Sequence, residues 1–182
     1  ERLGEFFQSS YFNNRGVTCG NTFDIFRKGS EVIRKDPKFQ QYKGKIDLCL
    51  TSPPYFSREM YSDDAEQSYK KFPNYQDWLE GFLEETIKTC YDWLKQNKYL
   101  LLNVSDVKIK DKGIIPLEQD TITIAIKNGF TYEGKYGMVM SRMIGINSRN
   151  VLNTWFDSAD KKHYKFEPIL IFKRDESFTR YE

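Results

Sequence analysis

The stretch that most constrains this chain is Lys45-Ile46-Asp47-Leu48-Cys49-Leu50, followed at once by Thr51-Ser52-Pro53-Pro54-Tyr55-Phe56. A short, nearly continuous apolar run is the pattern of a strand covered on both faces, as in a parallel sheet. Proline locks φ and has no N–H to give to a neighbouring strand. Two in succession therefore end the strand abruptly and leave a rigid turn at its carboxyl end. In an open α/β sheet that end faces the ligand crevice.

The rest of the chain supports such a sheet. Val17-Thr18-Cys19 then Gly20-Asn21 reads as a short strand and turn, and Phe23, Ile25, Phe26, Val32 and Ile33 read as a helix ended by Asp36-Pro37. The clearest helix is 75–95, where Tyr75, Trp78, Leu79, Phe82, Leu83, Ile87, Cys90, Trp93 and Leu94 recur at helical spacing. Asn74 is its expected N-cap, with Asp77 three residues on. Lys98–Val104 reads as a second buried strand, 114–128 as a helix closed by Gly129, and Phe130–Met140 and Phe166–Phe172 as further strands. Alternating strands and helices argue for right-handed βαβ units and a parallel sheet. Residues 57–73 read as a polar surface loop. The organisation expected is an arm over 1–16, an α/β portion over 17–140, an inserted lobe over 141–165, and a final strand region over 166–182.

Composition narrows the function classes. With 39% hydrophobic and 30% charged residues in 182, this is a globular composition of single-domain size. No apolar run approaches the ~20 residues of a membrane helix and no secretory signal is visible, so a cytoplasmic protein is expected. The net charge of +2 permits a local basic face but demands none. Cys19, Cys49 and Cys90 are dispersed and there is one histidine, His163, so the spacing suits neither a disulfide frame nor a zinc site.

The chemistry of the Ser-Pro-Pro-Tyr turn follows from its parts. The prolines present backbone carbonyl in a fixed direction, Ser52 adds a hydroxyl that can accept, and Tyr55 and Phe56 supply flat faces. Two acceptors beside an aromatic plate suit a planar ring bearing an exocyclic NH₂. Acceptors that draw both N–H groups out of plane favour attack by an otherwise delocalised lone pair, and they stabilise the positive charge growing on nitrogen. A rigid turn with no chemical duty is the plainer alternative for such a tetrapeptide taken alone.

The context of the turn adds a resemblance. Ile46-Asp47-Leu48-Cys49-Leu50-Thr51-Ser52-Pro53-Pro54-Tyr55 resembles the catalytic motif of the amino-group DNA methyltransferases, an acceptor followed by Pro-Pro and an aromatic after an apolar strand. Gly20-Asn21-Thr22-Phe23-Asp24-Ile25-Phe26 resembles the segment that precedes that motif, with Asn21 where the family usually has Asp. The helix 75–95 with Lys98–Asp106, and Lys165-Phe166-Glu167-Pro168-Ile169-Leu170-Ile171-Phe172-Lys173, resemble later elements in the same order.

The resemblance implies a Rossmann-like methyltransferase sheet with helices on both faces, S-adenosylmethionine as cofactor and double-stranded DNA as partner. It implies that Ser52, Pro53, Pro54 and Tyr55 form the catalytic pocket and that Asn21, Thr22, Thr51 and Asp106 lie at the cofactor; a cap at the start of the next helix is the plainer use of Asp106. Serine in the first position is the form usual for the N4 amine of cytosine; the N6 amine of adenine is the rival target, and RNA or a protein glutamine a remoter one. Arg58, Lys70 and Lys71 after the pocket, and Arg142, Arg149, Lys161 and Lys162 in the lobe, are the expected DNA contacts, with a solvated surface as the alternative for each.

A glycine-rich strand–turn for the methionine part of the cofactor is missing, since Gly134-Lys135-Tyr136-Gly137 lacks the flanking strand and helix. In the permuted members that begin with the catalytic motif it lies towards the C-terminus, beyond residue 182. The chain is therefore expected to be the catalytic-pocket part of a longer or split enzyme, completed by a complementary half or working as a homodimer. A DNA-binding partner without catalysis is the alternative of another class.

Overall fold

The computed structural model describes residues 26, 28–58, 64–109, 113–140, 153–159 and 162–175. The expected strand at Val17 and the start of the first helix lie outside them. Of the expected first helix the described residues hold a 3-10 turn, Ile33–Lys35, and Asp36-Pro37 ends it. The same pair also starts a helix, α1 (Pro37–Gln40), because proline suits a first helical position and the Asp36 carboxylate accepts from Lys38 N–H at 2.8 Å.

Four strands form the body of the sheet in the order β1 (Ile46–Thr51), β2 (Leu94–Asn103), β7 (Lys162–Arg174), β5 (Phe130–Val139). β1 and β2 are parallel, whereas β7 runs antiparallel to both β2 and β5. The all-parallel expectation is thus corrected to a mixed sheet. β7 also starts earlier than Phe166. It extends back to Lys162 and pairs there with β6 (Thr154–Asp157), so part of the expected lobe is a strand pair continuous with the sheet.

Between β1 and β2 lie α2 (Ser68–Lys71), within the expected surface loop, and the long helix of residues 75–93. That helix begins where Asn74 predicts, with Asn74 Oδ1 accepting from Asp77 N–H at 2.8 Å. Its regularity breaks in the middle. α3 (Tyr75–Trp78) passes into a π-helical segment, Leu79–Glu84, before α4 (Glu85–Trp93). Gly81 in that segment admits the Phe72 ring so closely that a Cβ there would collide with it. The wide turn also aims Glu84 inward, where its side chain is bound by Lys127, Asn128 and Lys88. Lys127 belongs to α5 (Leu117–Lys127), which the short pair β3 (Val107–Ile109) and β4 (Gly113–Ile115) precedes. Gly129 closes α5 with φ 98°, as its sequence suggests.

The core lies between these helices and one sheet face. Leu100, Leu102, Leu170 and Phe172 point from β2 and β7 against Leu83, Ile87, Leu117 and Ala125. Cys49 shares that face through its pairing with Leu100. The opposite face carries Leu48, Leu50, Tyr99 and Tyr136, all exposed. The covering expected over both faces of β1 is therefore found over one face among the described residues. There, no helix is long and apolar enough to cross a membrane.

Glu84 gives this packing a pH signature. Burial pushes its carboxyl up, but hydrogen bonds from Lys127 and Asn128, with Lys88 nearby, outweigh it and hold the group below its ordinary value of 4.5. A carboxyl depressed by folding stabilises the fold above its unfolded pKa and loses that contribution as pH falls through the folded one. Urea titrations should therefore show Glu84→Gln less stable than wild type at neutral pH, with the gap closing below about pH 4.5. A gap that stays constant into acid would contradict the assignment.

Candidate active site

The turn after β1 lies at the carboxyl ends of β1 and β2, beside the point where β7 crosses at Pro168. Thr51 ends β1, Ser52 is exposed, Pro53 is buried and Tyr55 is half-buried. The following residue sets the turn. Phe56 has φ 48°, in the left-handed region that bulky residues avoid, and its ring is 4% exposed. It packs edge-on to Tyr75 and Trp78, with centroids at 5.4 and 5.9 Å. Phe56 is thus an anchor in the core, not the second flat face expected of it. Trp78 in turn donates to Ser68 Oγ at 3.2 Å, which ties α2 to the same cluster.

The two proline carbonyls differ. Pro54 O accepts from Phe56 N–H at 3.1 Å, closing the turn. Among the described residues no backbone N–H closes a turn on Pro53 O. Ser52 Oγ donates to Asn103 Oδ1 at 3.2 Å, and Tyr55 OH lies 3.2 Å from Asn103 O and 3.3 Å from its Oδ1. Asn103 is the last residue of β2, is 9% exposed, and donates from Nδ2 to Pro168 O at 3.1 Å. Sequence reading passed over Asn103. A polar residue closing the apolar run of β2 was the available signal.

The other expected site residues fare differently. Asp106 Oδ1 accepts from Glu118 N–H at 2.9 Å, serving as the cap of α5 that Pro116 cannot provide. Lys71 is bound by Glu31 and Glu66, which raises its pKa and absorbs its charge. Lys70 lies on α2, and Arg58 and Lys162 fall in described backbone. Asn21, Thr22, Arg142, Arg149 and Lys161 lie outside the described residues. Tyr75 OH donates to Asp120 Oδ2 at 2.7 Å, and burial together with that carboxylate pushes its phenol far above its ordinary value. Among the described residues no three His, Cys, Asp or Glu are grouped to hold a metal ion.

Comparison with known proteins gives the family and the fold. The family model N6_N4_Mtase, described as DNA methylase, matches residues 46–182, well over half of the chain. Among solved structures, the chain is similar to TTHA0409 of Thermus thermophilus, designated a DNA modification methylase, at 15% identity and TM-score 0.53, over 85% of this chain and 54% of that one. The crystal form of TTHA0409 complexed with S-adenosyl-L-methionine matches at 15% identity and TM-score 0.52, over 85% and 54%. The chain thus spans about half the length of the structures it resembles. No curated protein matches it in sequence.

The use of Asp106 is open to direct test. As a helix cap it should contribute about 1 kcal/mol, so Asp106→Ala should shift the urea midpoint accordingly. An unchanged midpoint, with cofactor binding lost instead, would return Asp106 to the cofactor.

Proposed function

The chain belongs to the N6/N4 DNA methylase family, and on that premise we propose that it moves a methyl group from S-adenosylmethionine to the N4 amine of a cytosine flipped out of double-stranded DNA. The observation that carries this reading is the exposed Ser52 hydroxyl at a strand end with the Tyr55 ring beside it, both hydroxyls held by Asn103; the second acceptor we assign to Pro53 O. Together they take the two amine hydrogens and support the ring, turning the nitrogen lone pair away from conjugation. Positive charge grows on nitrogen as the new bond forms, and oxygen atoms already in place stabilise it without reorganising. The bound cofactor supplies a methyl carbon on a sulfonium: the nitrogen lone pair forms the N–C bond, the C–S bond breaks onto sulfur, and the surplus amine proton leaves to water. Serine in the acceptor position favours cytosine over adenine by resemblance to the family.

The amine side of this reaction we assign to the described residues, among which Thr51 is the expected cofactor residue that lies next to the turn. The rest we assign to a complementary half carrying the glycine-rich turn of the permuted members. The edge of β1, unpaired among the described residues, supports this. Leu48 and Leu50 are 52% and 66% exposed on the open face beside that edge; a further parallel strand would bring its own carboxyl end to the pocket, and the helix that connects it would cover the leucines. A twofold pairing of β1 with itself would run antiparallel and carry the two pockets apart. DNA phosphates we assign to Arg58, Lys70, Arg142, Arg149, Lys161 and Lys162, and not to Lys71, whose charge is already shared by two carboxylates.

The test is the product. Full-length protein, duplex DNA and S-adenosylmethionine, followed by digestion to nucleosides, should yield N4-methylcytosine. N6-methyladenine would establish the rival target, and no product together with no cofactor binding would establish a non-catalytic DNA-binding partner. Ser52→Ala should lower the rate about 10²–10³-fold, and Tyr55→Ala should weaken capture of the base by about 1–3 kcal/mol. Wild-type rates in both would remove the pocket assignment.

A further inference from the structure

A serine hydroxyl is an ambiguous choice for the task assigned to Ser52. Carboxylate and amide oxygens only accept, but a hydroxyl also donates. If Ser52 donated to the target amine, its proton would occupy the very lone pair that must attack. Something has to take that proton away from the pocket.

The hydrogen-bond order around Asn103 does this. The Pro168 carbonyl can only accept, so the group facing it must be the Asn103 NH₂, at 3.1 Å. That fixes the amide's orientation and turns Oδ1 towards Ser52, 3.2 Å away. An amide oxygen can only accept, so the hydroxyl proton of Ser52 points at Asn103 and its lone pairs face the pocket. The Tyr55 hydroxyl is directed at the same residue, at 3.2 and 3.3 Å, which sets the plane of the supporting ring. The bonds to Oδ1 are long for hydroxyl donors, so their effect is to fix direction more than to add stability. Asn103 is buried, and Pro168 belongs to the fully buried set, so water does not readily replace either partner.

We infer that Asn103 is a positioning residue that makes Ser52 an acceptor: the chain Pro168 C=O, Asn103 amide, Ser52 hydroxyl relays a fixed polarity from β7 through β2 to the target amine. This rests on the proposed amine methylation, and it assigns a residue outside the Ser-Pro-Pro-Tyr turn a part in the same step. It also accounts for how serine can stand where an obligate acceptor would otherwise be required.

The experiment is a double-mutant cycle on the full-length protein, reading initial rates of methyl transfer from tritiated S-adenosylmethionine to unmethylated plasmid DNA. Asn103→Ala and Asn103→Leu should each lower kcat by about 10–100-fold, with KM for DNA and cofactor changed less than about twofold. Asn103→Asp keeps an acceptor for Ser52 but loses the donor to Pro168 O and sets two acceptors against each other, so it should recover only part of the loss. In a Ser52→Ala background, Asn103→Leu should cost less than about a further twofold, because its action through the hydroxyl is already gone. DNA affinity by fluorescence anisotropy should stay unchanged throughout. Independent, multiplying losses, or wild-type kcat in both Asn103→Ala and Asn103→Leu, would overturn the inference while leaving the pocket assignment standing. Loss of folding in both, read by circular dichroism, would also overturn it by making Asn103 structural. A wild-type rate in Ser52→Ala alone would instead remove the pocket reading on which the inference rests.

Discussion

The burial of Phe56 is the constraint on which the candidate site depends. A bulky residue at φ 48° costs roughly 1–3 kcal/mol in backbone strain. Full burial of a phenylalanine side chain contributes about 1.5–3 kcal/mol, and well-oriented ring pairs add about 0.5–1.5 kcal/mol each. The edge contacts with Tyr75 and Trp78 therefore offset the strain. Without them the turn would relax towards an ordinary conformation, and the proline carbonyls would swing with it. The rigidity supplied by Pro53 and Pro54 is local. The direction in which that rigid piece points is set by the core beneath it.

What could be read from the residues was what local patterning encodes. The helix expected over 75–95, its Asn74 cap, the Gly129 stop and the strand expected over Lys45–Leu50 follow from spacing and capping chemistry; the structure bears out the cap and the stop, ends the helix at Trp93 and sets the strand at Ile46–Thr51. The antiparallel course of β7 was not legible, because a buried apolar run looks the same in either direction. The π-helical segment was hidden for a similar reason: Leu79, Phe82 and Leu83 satisfy a helical stripe whether or not one turn is wide. The β3–β4 pair, only three residues a strand, is too short to show a period. Asn103 is the most instructive omission. Its importance comes from lying beside Ser52 and Pro168, 51 and 65 residues away, and no local pattern expresses that.

Residues with conspicuous chemistry and residues with structural duty partly exchange places here. Asp106 and Lys71 look like ligand-binding groups in the sequence, yet one caps a helix and the other joins two acidic side chains. Asn103 looks like the polar end of a strand and stands at the centre of the pocket's hydrogen bonds. A charge near a crevice is informative only once its nearest partner is known, because a partner within hydrogen-bond distance sets its availability.

The uncovered side of β1 bears on how such a chain behaves during synthesis and purification. A strand whose edge is unpaired among the described residues, with two half-exposed leucines, is a template on which other chains can add, as sheet edges do in aggregation. Asp47, with its lysine partners Lys95 and Lys98, places charge at the start of that edge, while Leu48 and Leu50 carry none further along. Self-association should therefore begin near the pocket end of the strand.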